Sequence, residues 1–271
     1  MNFFFIAVNY NGAETTVKLI DSVLNMPSDR CIKEVIIIDN DSSATDKEAL
    51  QKLNSIYNVQ VIFSNKNIGY FGALNIGLKV INKNKDDIVI LCNNDITFEK
   101  NFITNFLSSE YNDNTMVVAP NIITKEGRRQ NPHVYLKVSR AEKIKARLYF
   151  SNYYVGQFLR ILNNSIKKVI KKTNTQQNKV EYPKMVIKRG IGACYILLPF
   201  FFQHNKKLDD LVFLWGEEAI FSHQIEQSGG ITVYDPQLIV HHDESASVAS
   251  IANRDTYKIR KESYKIYRKF L

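Results

Sequence analysis

Before residue 100 the chain alternates between short apolar runs and segments of helical periodicity, and this limits the folds open to it more than any other feature. "FFFIAV", "EVIIID", "VQVIFS" and "DIVILC" are β-branched or aromatic runs of strand length. Between them, "ETTVKLIDSVLNM" places Val17, Ile20, Val23 and Leu24 at helical spacing, and "FGALNIGLKVI" places Leu74, Leu78 and Ile81 on one face. Such alternation predicts an α/β fold with a mostly parallel central sheet and helices on both faces.

In open α/β sheets a ligand sits beyond the carboxyl ends of the strands. Here those ends read Asn9-Tyr10-Asn11-Gly12, Asp39-Asn40-Asp41-Ser42, Ser64 through Gly69, and Asn93-Asn94-Asp95. Asn, Asp, Ser and Gly are good turn residues, which accounts for any single end. Four polar ends that converge on one edge point instead to a polar ligand with several hydrogen-bonding parts. No G-x-G-x-x-G follows the first strand and no G-x-x-x-x-G-K-[ST] occurs, which removes the main support for dinucleotide dehydrogenases and P-loop NTPases. Asp95 beside an amide oxygen is a hard donor set suited to Mg²⁺ or Mn²⁺ carrying a diphosphate.

At 271 residues the chain is long enough for a large α/β domain. Its charge is segregated. Residues 134–189 carry fourteen Lys and Arg against two Glu, a net of +12, and residues 254–271 carry seven against two, a net of +5. With +9 overall, the remainder is acidic at −8. Cys31, Cys92 and Cys194 are far apart and odd in number, which suits reduced thiols and a cytoplasmic setting. The first apolar run is too short for a signal peptide, and the longest, "IGACYILLPFFF", is shorter than a membrane span.

Seven stretches in order, "VNYNG", "IIIDNDSS", "NIGYFGALNIGL", "NNDITF", "GACYIL", "LDDLVFLWGEEAIF" and "IVHHDESAS", resemble the family 2 glycosyltransferases of the GT-A nucleotide-diphospho-sugar transferase fold. The bacterial branch that includes rhamnosyltransferases is the part of the family they are most similar to. The resemblance covers roughly residues 3–133 and 186–250. It implies one GT-A catalytic domain over residues 1–253, made of a nucleotide-binding half (1–120), a basic helical insert (about 134–185) and an acceptor half (186–253), followed by a basic C-terminal helix (254–271).

The resemblance also assigns roles. Asp39 matches the position that contacts the nucleotide base, with Tyr10, Asn11 and Asn40 nearby, and Asn67, Gly69 and Asn75 match the segment that closes over nucleotide and sugar. Asn93, Asn94 and Asp95 stand in place of a D-x-D motif whose last carboxylate binds the divalent metal. Asn93 replaces the first Asp and brings no charge, so weaker metal binding is expected. Glu218 falls at the catalytic base of an inverting transferase, after Glu217, with Trp215 as a platform for an acceptor sugar. His242 matches a histidine near the metal or diphosphate, with His241 as its rival and Ser247 following.

The implied partners are a nucleoside-diphosphate sugar, either thymidine diphosphate rhamnose or a uridine diphosphate sugar, and a saccharide acceptor on a lipid carrier in bacterial surface polysaccharide synthesis. The mixture of aromatic, aliphatic and basic residues in "RLYFSNYYVGQFLRILNNSIKKVIKK" fits either attachment to an anionic membrane surface or a solvated helix packed on the core. A non-catalytic polyanion-binding protein and a nucleotidyltransferase are the competing classes. The first lacks any recognised nucleic-acid module, so no nucleic-acid partner is expected. The second lacks a basic Gly-rich loop after the first strand.

Overall fold

The computed structural model describes residues 1–27, 31–134, 138–162, 181–244 and 253–271. The first 93 residues form the expected alternation: β1 (Asn2–Asn9), α1 (Ala13–Leu24), β2 (Ile32–Asp39), α2 (Ala44–Gln51), β3 (Val59–Phe63), α3 (Tyr70–Val80) and β4 (Ile88–Asn93). β5 (Ile96–Phe98), α4 (Phe102–Ser108) and the long β6 (Thr115–Thr124) follow. Two helices come next, α5 (Arg140–Tyr149) and α6 (residues 153–162). β7 (Met185–Ile187), β8 (Cys194–Leu197), α7 (Pro199–His204), α8 (Glu217–Gln227), β9 (Ile231–His242) and α9 (Asn253–Tyr267) complete the described chain.

The strands make one nine-stranded sheet in the order β3-β2-β1-β4-β8-β6-β9-β5, with β7 also on β9. The expectation of a mostly parallel sheet holds for β1 to β4, whose pairings are all parallel. Beyond β4 the sheet is mixed. β8 runs antiparallel to both β4 and β6, and the short β5 and β7 run antiparallel to β9, while β6 and β9 are parallel.

The uninterrupted apolar character of "FFFIAV" has a direct cause, since both faces of β1 are covered. Phe3, Phe5 and Ala7 face a core that includes Leu19, Ile20 and Val23 of α1 and Phe102, Ile103 and Phe106 of α4. Phe4 and Ile6 face the opposite core, with Phe71 and Leu74 of α3, Phe201 of α7, and Phe221 and Ile225 of α8. The buried stripe of α1 is rotated from the expected one. Thr16, Leu19, Ile20 and Val23 are inside and Val17 is exposed, because Thr16 donates to Asn9 at the end of β1 and turns that side of the helix inward.

α9 returns to the main body and packs beside α5 and α6, where Tyr257 meets Tyr149 and Tyr153. All three cysteines are free thiols. Among the described residues no helix is long and apolar enough to cross a membrane.

Candidate functional site

All four polar strand ends are joined by side-chain hydrogen bonds. Asn9 Nδ2 donates to Asp39 Oδ1 at 3.1 Å and to Asp46 Oδ2 at 2.7 Å. Asp46 Oδ1 accepts from Ala13 N at 2.9 Å, which serves the start of α1, a helix that Gly12 leaves without a side-chain cap. Asn94 Nδ2 lies 2.9 Å from Asn9 Oδ1, 3.0 Å from Gly12 O and 3.1 Å from Thr16 Oγ1, so the end of β4 is fastened to the turn after β1. Asn40 ties the second end to the third: its Nδ2 donates to Asn67 Oδ1 at 2.9 Å and its Oδ1 accepts from Ile68 N at 3.0 Å.

This edge forms one wall of a cleft of about 470 Å³. Of the residues singled out in the sequence, Tyr10, Asn40, Asn67, Gly69, Asn93, Asn94, Asp95, Trp215, Glu217, Glu218 and His242 line it. Three others do not. Asp39 is fully buried, with its carboxylate taken by Asn9 and by Ser42 N, so in this structure it secures β1 rather than presenting a face to the cleft. Asn11 turns its Oδ1 to Ser43 N at 2.8 Å. Asn75 is buried in α3 and clamps Leu208 from both sides, donating to Leu208 O and accepting from Leu208 N at 2.9 Å each. Its amide is fully used on the loop that precedes the acidic pair, so it supports the cleft from behind. Ser247 lies outside the described residues.

The opposite wall is the loop that Asn75 holds. Phe213 O accepts from Tyr70 N at 3.2 Å, and Gly69, at φ 81°, approaches so closely that a Cβ there would lie 2.2 Å from Phe213 O. A glycine at this junction is therefore a steric requirement. On the far side α9 holds the same loop. Ser263 Oγ donates to Leu214 O at 2.6 Å, the Arg260 guanidinium lies 4.5 Å from the centre of the Trp215 ring, and the Tyr267 ring covers Gly216. Trp215 itself has φ 64° and Gly216 φ 99°, a left-handed bend that directs the start of α8 at the cleft.

The bend delivers the two acids to different environments. Glu217 is buried and its Oε1 has no hydrogen-bond partner. Burial, with the neighbouring Glu218 charge, pushes its carboxyl up to about 8. Glu218 is half-buried at the cleft surface, and Gly192 N is 3.4 Å from its Oε1. Its charge acts on two groups that sequence reading missed, His133 and Arg189. Burial lowers both, and Glu218 opposes the shift in each. Neither residue sits in a recognisable pattern. The isolated bridge between Val134 and Arg189 brings them together, and no sequence signal announced it.

Asp95 and His242 meet at the strand-end wall of the cleft. His242 Nε2 is 3.2 Å from Asp95 Oδ1, and both side chains are about nine-tenths buried. His242 Nδ1 is 2.8 Å from Gln130 Oε1, a further residue that the sequence did not reveal. With Nδ1 engaged by that oxygen, Nε2 is the ring nitrogen that faces Asp95. The rival His241 is exposed and pairs with Glu99 at 2.7 Å.

A separation of 3.2 Å fits two adjacent ligands of an octahedral cation, whose bonds of about 2.1 Å put neighbouring donors roughly 3 Å apart. Among the described residues there is no group of three or more His, Cys, Asp or Glu that could hold a metal ion. A pair of donors is what a cation that takes its remaining ligands from a diphosphate and water requires.

The model of the glycosyl transferase family 2 matches residues 5–185, about two thirds of the chain. The chain belongs to that family. No curated protein sequence matches it. Solved glycosyltransferase structures share its fold at low identity. One of GalNAc-T7 with UDP, GalNAc and Mn²⁺ is 16% identical with a TM-score of 0.61, covering 90% of this chain and 44% of that one. The mannosyltransferase PcManGT from Pyrobaculum calidifontis, in complex with GDP-Man and Mn²⁺, is 13% identical with a TM-score of 0.56, over 98% of this chain and 62% of its own. S. aureus TarS 1-349 with UDP-GlcNAc is 12% identical with a TM-score of 0.57, over 96% and 64%. This family member thus spans less than two thirds of the length of each of these structures, and has the GT-A fold in common with them.

Proposed function

We propose that the protein is an inverting glycosyltransferase that moves a sugar from a nucleoside diphosphate to a saccharide acceptor. The observation that carries this reading is that one cleft is lined both by Glu218, from the start of α8, and by Asp95 with His242, from the strand ends. Single displacement needs a base for the acceptor hydroxyl on one face of the anomeric carbon and stabilisation of the departing diphosphate on the other. Glu218 takes the proton. Trp215 offers an apolar ring to a sugar face, while Tyr10, Asn40 and Asn67 lie where nucleoside and sugar hydroxyls would be bound. Asp95 and His242 would hold a divalent cation, which when bound supplies positive charge to the leaving diphosphate. Glu217, neutral at working pH, keeps a second negative charge away from the base.

The relatives' structures contain uridine and guanosine nucleotides, so donor choice varies across the fold. For this chain the branch resembled favours thymidine diphosphate rhamnose, with a uridine diphosphate sugar next. The acceptor in this reading is a lipid-linked saccharide of bacterial surface polysaccharide synthesis, which a cytoplasmic protein would meet at the inner face of the cell membrane. The domain plan proposed is one catalytic unit through residue 253 with the basic helix after it.

Calorimetric titration with thymidine and uridine diphosphates, each with and without Mn²⁺, tests the donor side. Binding of one nucleotide should strengthen with Mn²⁺, and Asp95→Ala should remove about ten- to a hundredfold of the metal-dependent affinity while leaving the metal-free value unchanged. Equal affinity with and without metal in the unmodified protein would contradict the role given to Asp95 and His242.

A further inference from the structure

Away from the cleft, α5, α6 and α9 enclose a second cavity of about 400 Å³. Tyr149, Phe150 and Leu159 give it apolar walls, and each helix contributes a cation: Lys145 from α5, Arg160 from α6 and Arg260 from α9. Among the described residues the one carboxylate on its lining is Glu142, whose Oε2 lies 2.8 Å from both N and Oγ of Ser139 in a capping box at the start of α5. Arg260 has a buried Nε with no hydrogen-bond partner. Burial of this nitrogen raises the cost of the guanidinium charge, and an anion in the cavity would offset that cost.

Arg260 also belongs to the other site, because its guanidinium stacks on Trp215, which lines the cleft. Outside the cavity, Ile144 and Leu148 of α5 and Phe158 and Ile161 of α6 are exposed, so an apolar surface adjoins a cationic hollow. An inorganic anion would use only the cations. An anion bearing a hydrocarbon chain would use the walls and the adjoining surface as well.

We propose that this cavity binds a phosphate or diphosphate carrying an apolar chain, and that its occupancy is relayed to Trp215 through Arg260. A lipid-linked diphosphate and an anionic phospholipid share that chemistry. The binding inference stands on the cavity alone, and only the choice of the lipid-linked diphosphate rests on the glycosyltransferase reading.

Trp215 is the sole tryptophan of the chain, so its fluorescence reports directly on Arg260. The full chain, in EDTA, is titrated with farnesyl diphosphate, dihexanoyl phosphatidylglycerol and inorganic diphosphate, with calorimetry in parallel. The expected result is a saturable change in Trp215 emission with one of the amphiphiles and at least tenfold weaker binding of inorganic diphosphate. Arg160→Ala and Lys145→Ala, both at exposed positions, should each weaken the amphiphile at least fivefold, while Asp95→Ala leaves it unchanged. Preference for farnesyl diphosphate assigns the site to a lipid-linked diphosphate, and preference for the phosphatidylglycerol assigns it to a headgroup.

No binding of either amphiphile overturns the proposal, as does a response lost in Asp95→Ala but retained in Arg160→Ala and Lys145→Ala, which would put the probe in the cleft. Calorimetric binding without a change in emission would refute the relay to Trp215. Mn²⁺-dependent nucleotide binding in the same preparation separates a failure here from a failure of the transferase reading.

Discussion

The two walls of the cleft satisfy their polar groups differently. At the strand ends, Asn9 hydrogen-bonds Asp39, Asn94 and, from α2, Asp46, while Asn40 bonds Asn67, so much of their capacity is spent inside the protein. Across the cleft, residues 213–218 carry a left-handed tryptophan, a left-handed glycine and a buried carboxyl oxygen without a partner. The first wall is a hydrogen-bonded frame, and in the reading proposed here its amides fix where a ligand sits. The second holds backbone strain and a carboxyl with a raised pKa, which is where a reacting group is expected. The strained wall is kept in place from outside, by Asn75 on one side and by Ser263, Arg260 and Tyr267 on the other.

The largest effect that would break this contrast is on the frame. Asn94→Ala removes the bonds from its amide to Asn9 Oδ1 and Gly12 O, which then keep only the threonines after the turn as donors, and leaves a void at a buried position, so denaturant unfolding should show a loss of about 2–4 kcal/mol, with weaker nucleotide binding as a consequence. A loss below about 0.5 kcal/mol would mean that the frame is not held by these amides.

A smaller, pH-dependent effect sharpens the other side. A carboxyl raised from about 4.5 to about 8 by folding binds a proton that the unfolded chain has released. Stability linked to Glu217 is therefore full below the unfolded value and declines as pH rises toward 8. Glu217→Gln, which cannot ionise, should match the unmodified protein near pH 4.5 and be more stable by about 1–3 kcal/mol at pH 8.5. Thermal melts at the two pH values give the comparison, and a difference that does not grow with pH would place Glu217 in a solvated setting.

The frame was legible in the sequence because a β-strand buried on both faces must be apolar throughout, so each abrupt change to Asn or Asp marks the strand end. "DIVILC" and "NND" show this within nine residues. What the polar residues do there was less legible. Asn75 and Asp39 have the same side chains as neighbours that line the cleft, and only the position of Leu208, or of Asn9 and Ser42, decides that they point inward. Gln130, His133 and Arg189 stand next to the cleft residues His242 and Glu218 through pairings far apart in sequence, which no local periodicity encodes. The mixed half of the sheet was missed for a related reason. β5, β7 and β8 are only three or four residues long, too short to show a period.

In the reading proposed here the strained wall carries the base, and the frame holds the nucleotide and its diphosphate. The measurement that tests it most directly is turnover and nucleotide affinity of Glu218→Gln in one preparation, with the donor that calorimetry selects. The account predicts a fall in kcat of about 10²–10⁴ with nucleotide affinity within about twofold of the unmodified protein. Normal turnover would contradict it, and so would a loss of activity that only mirrors a loss of nucleotide binding.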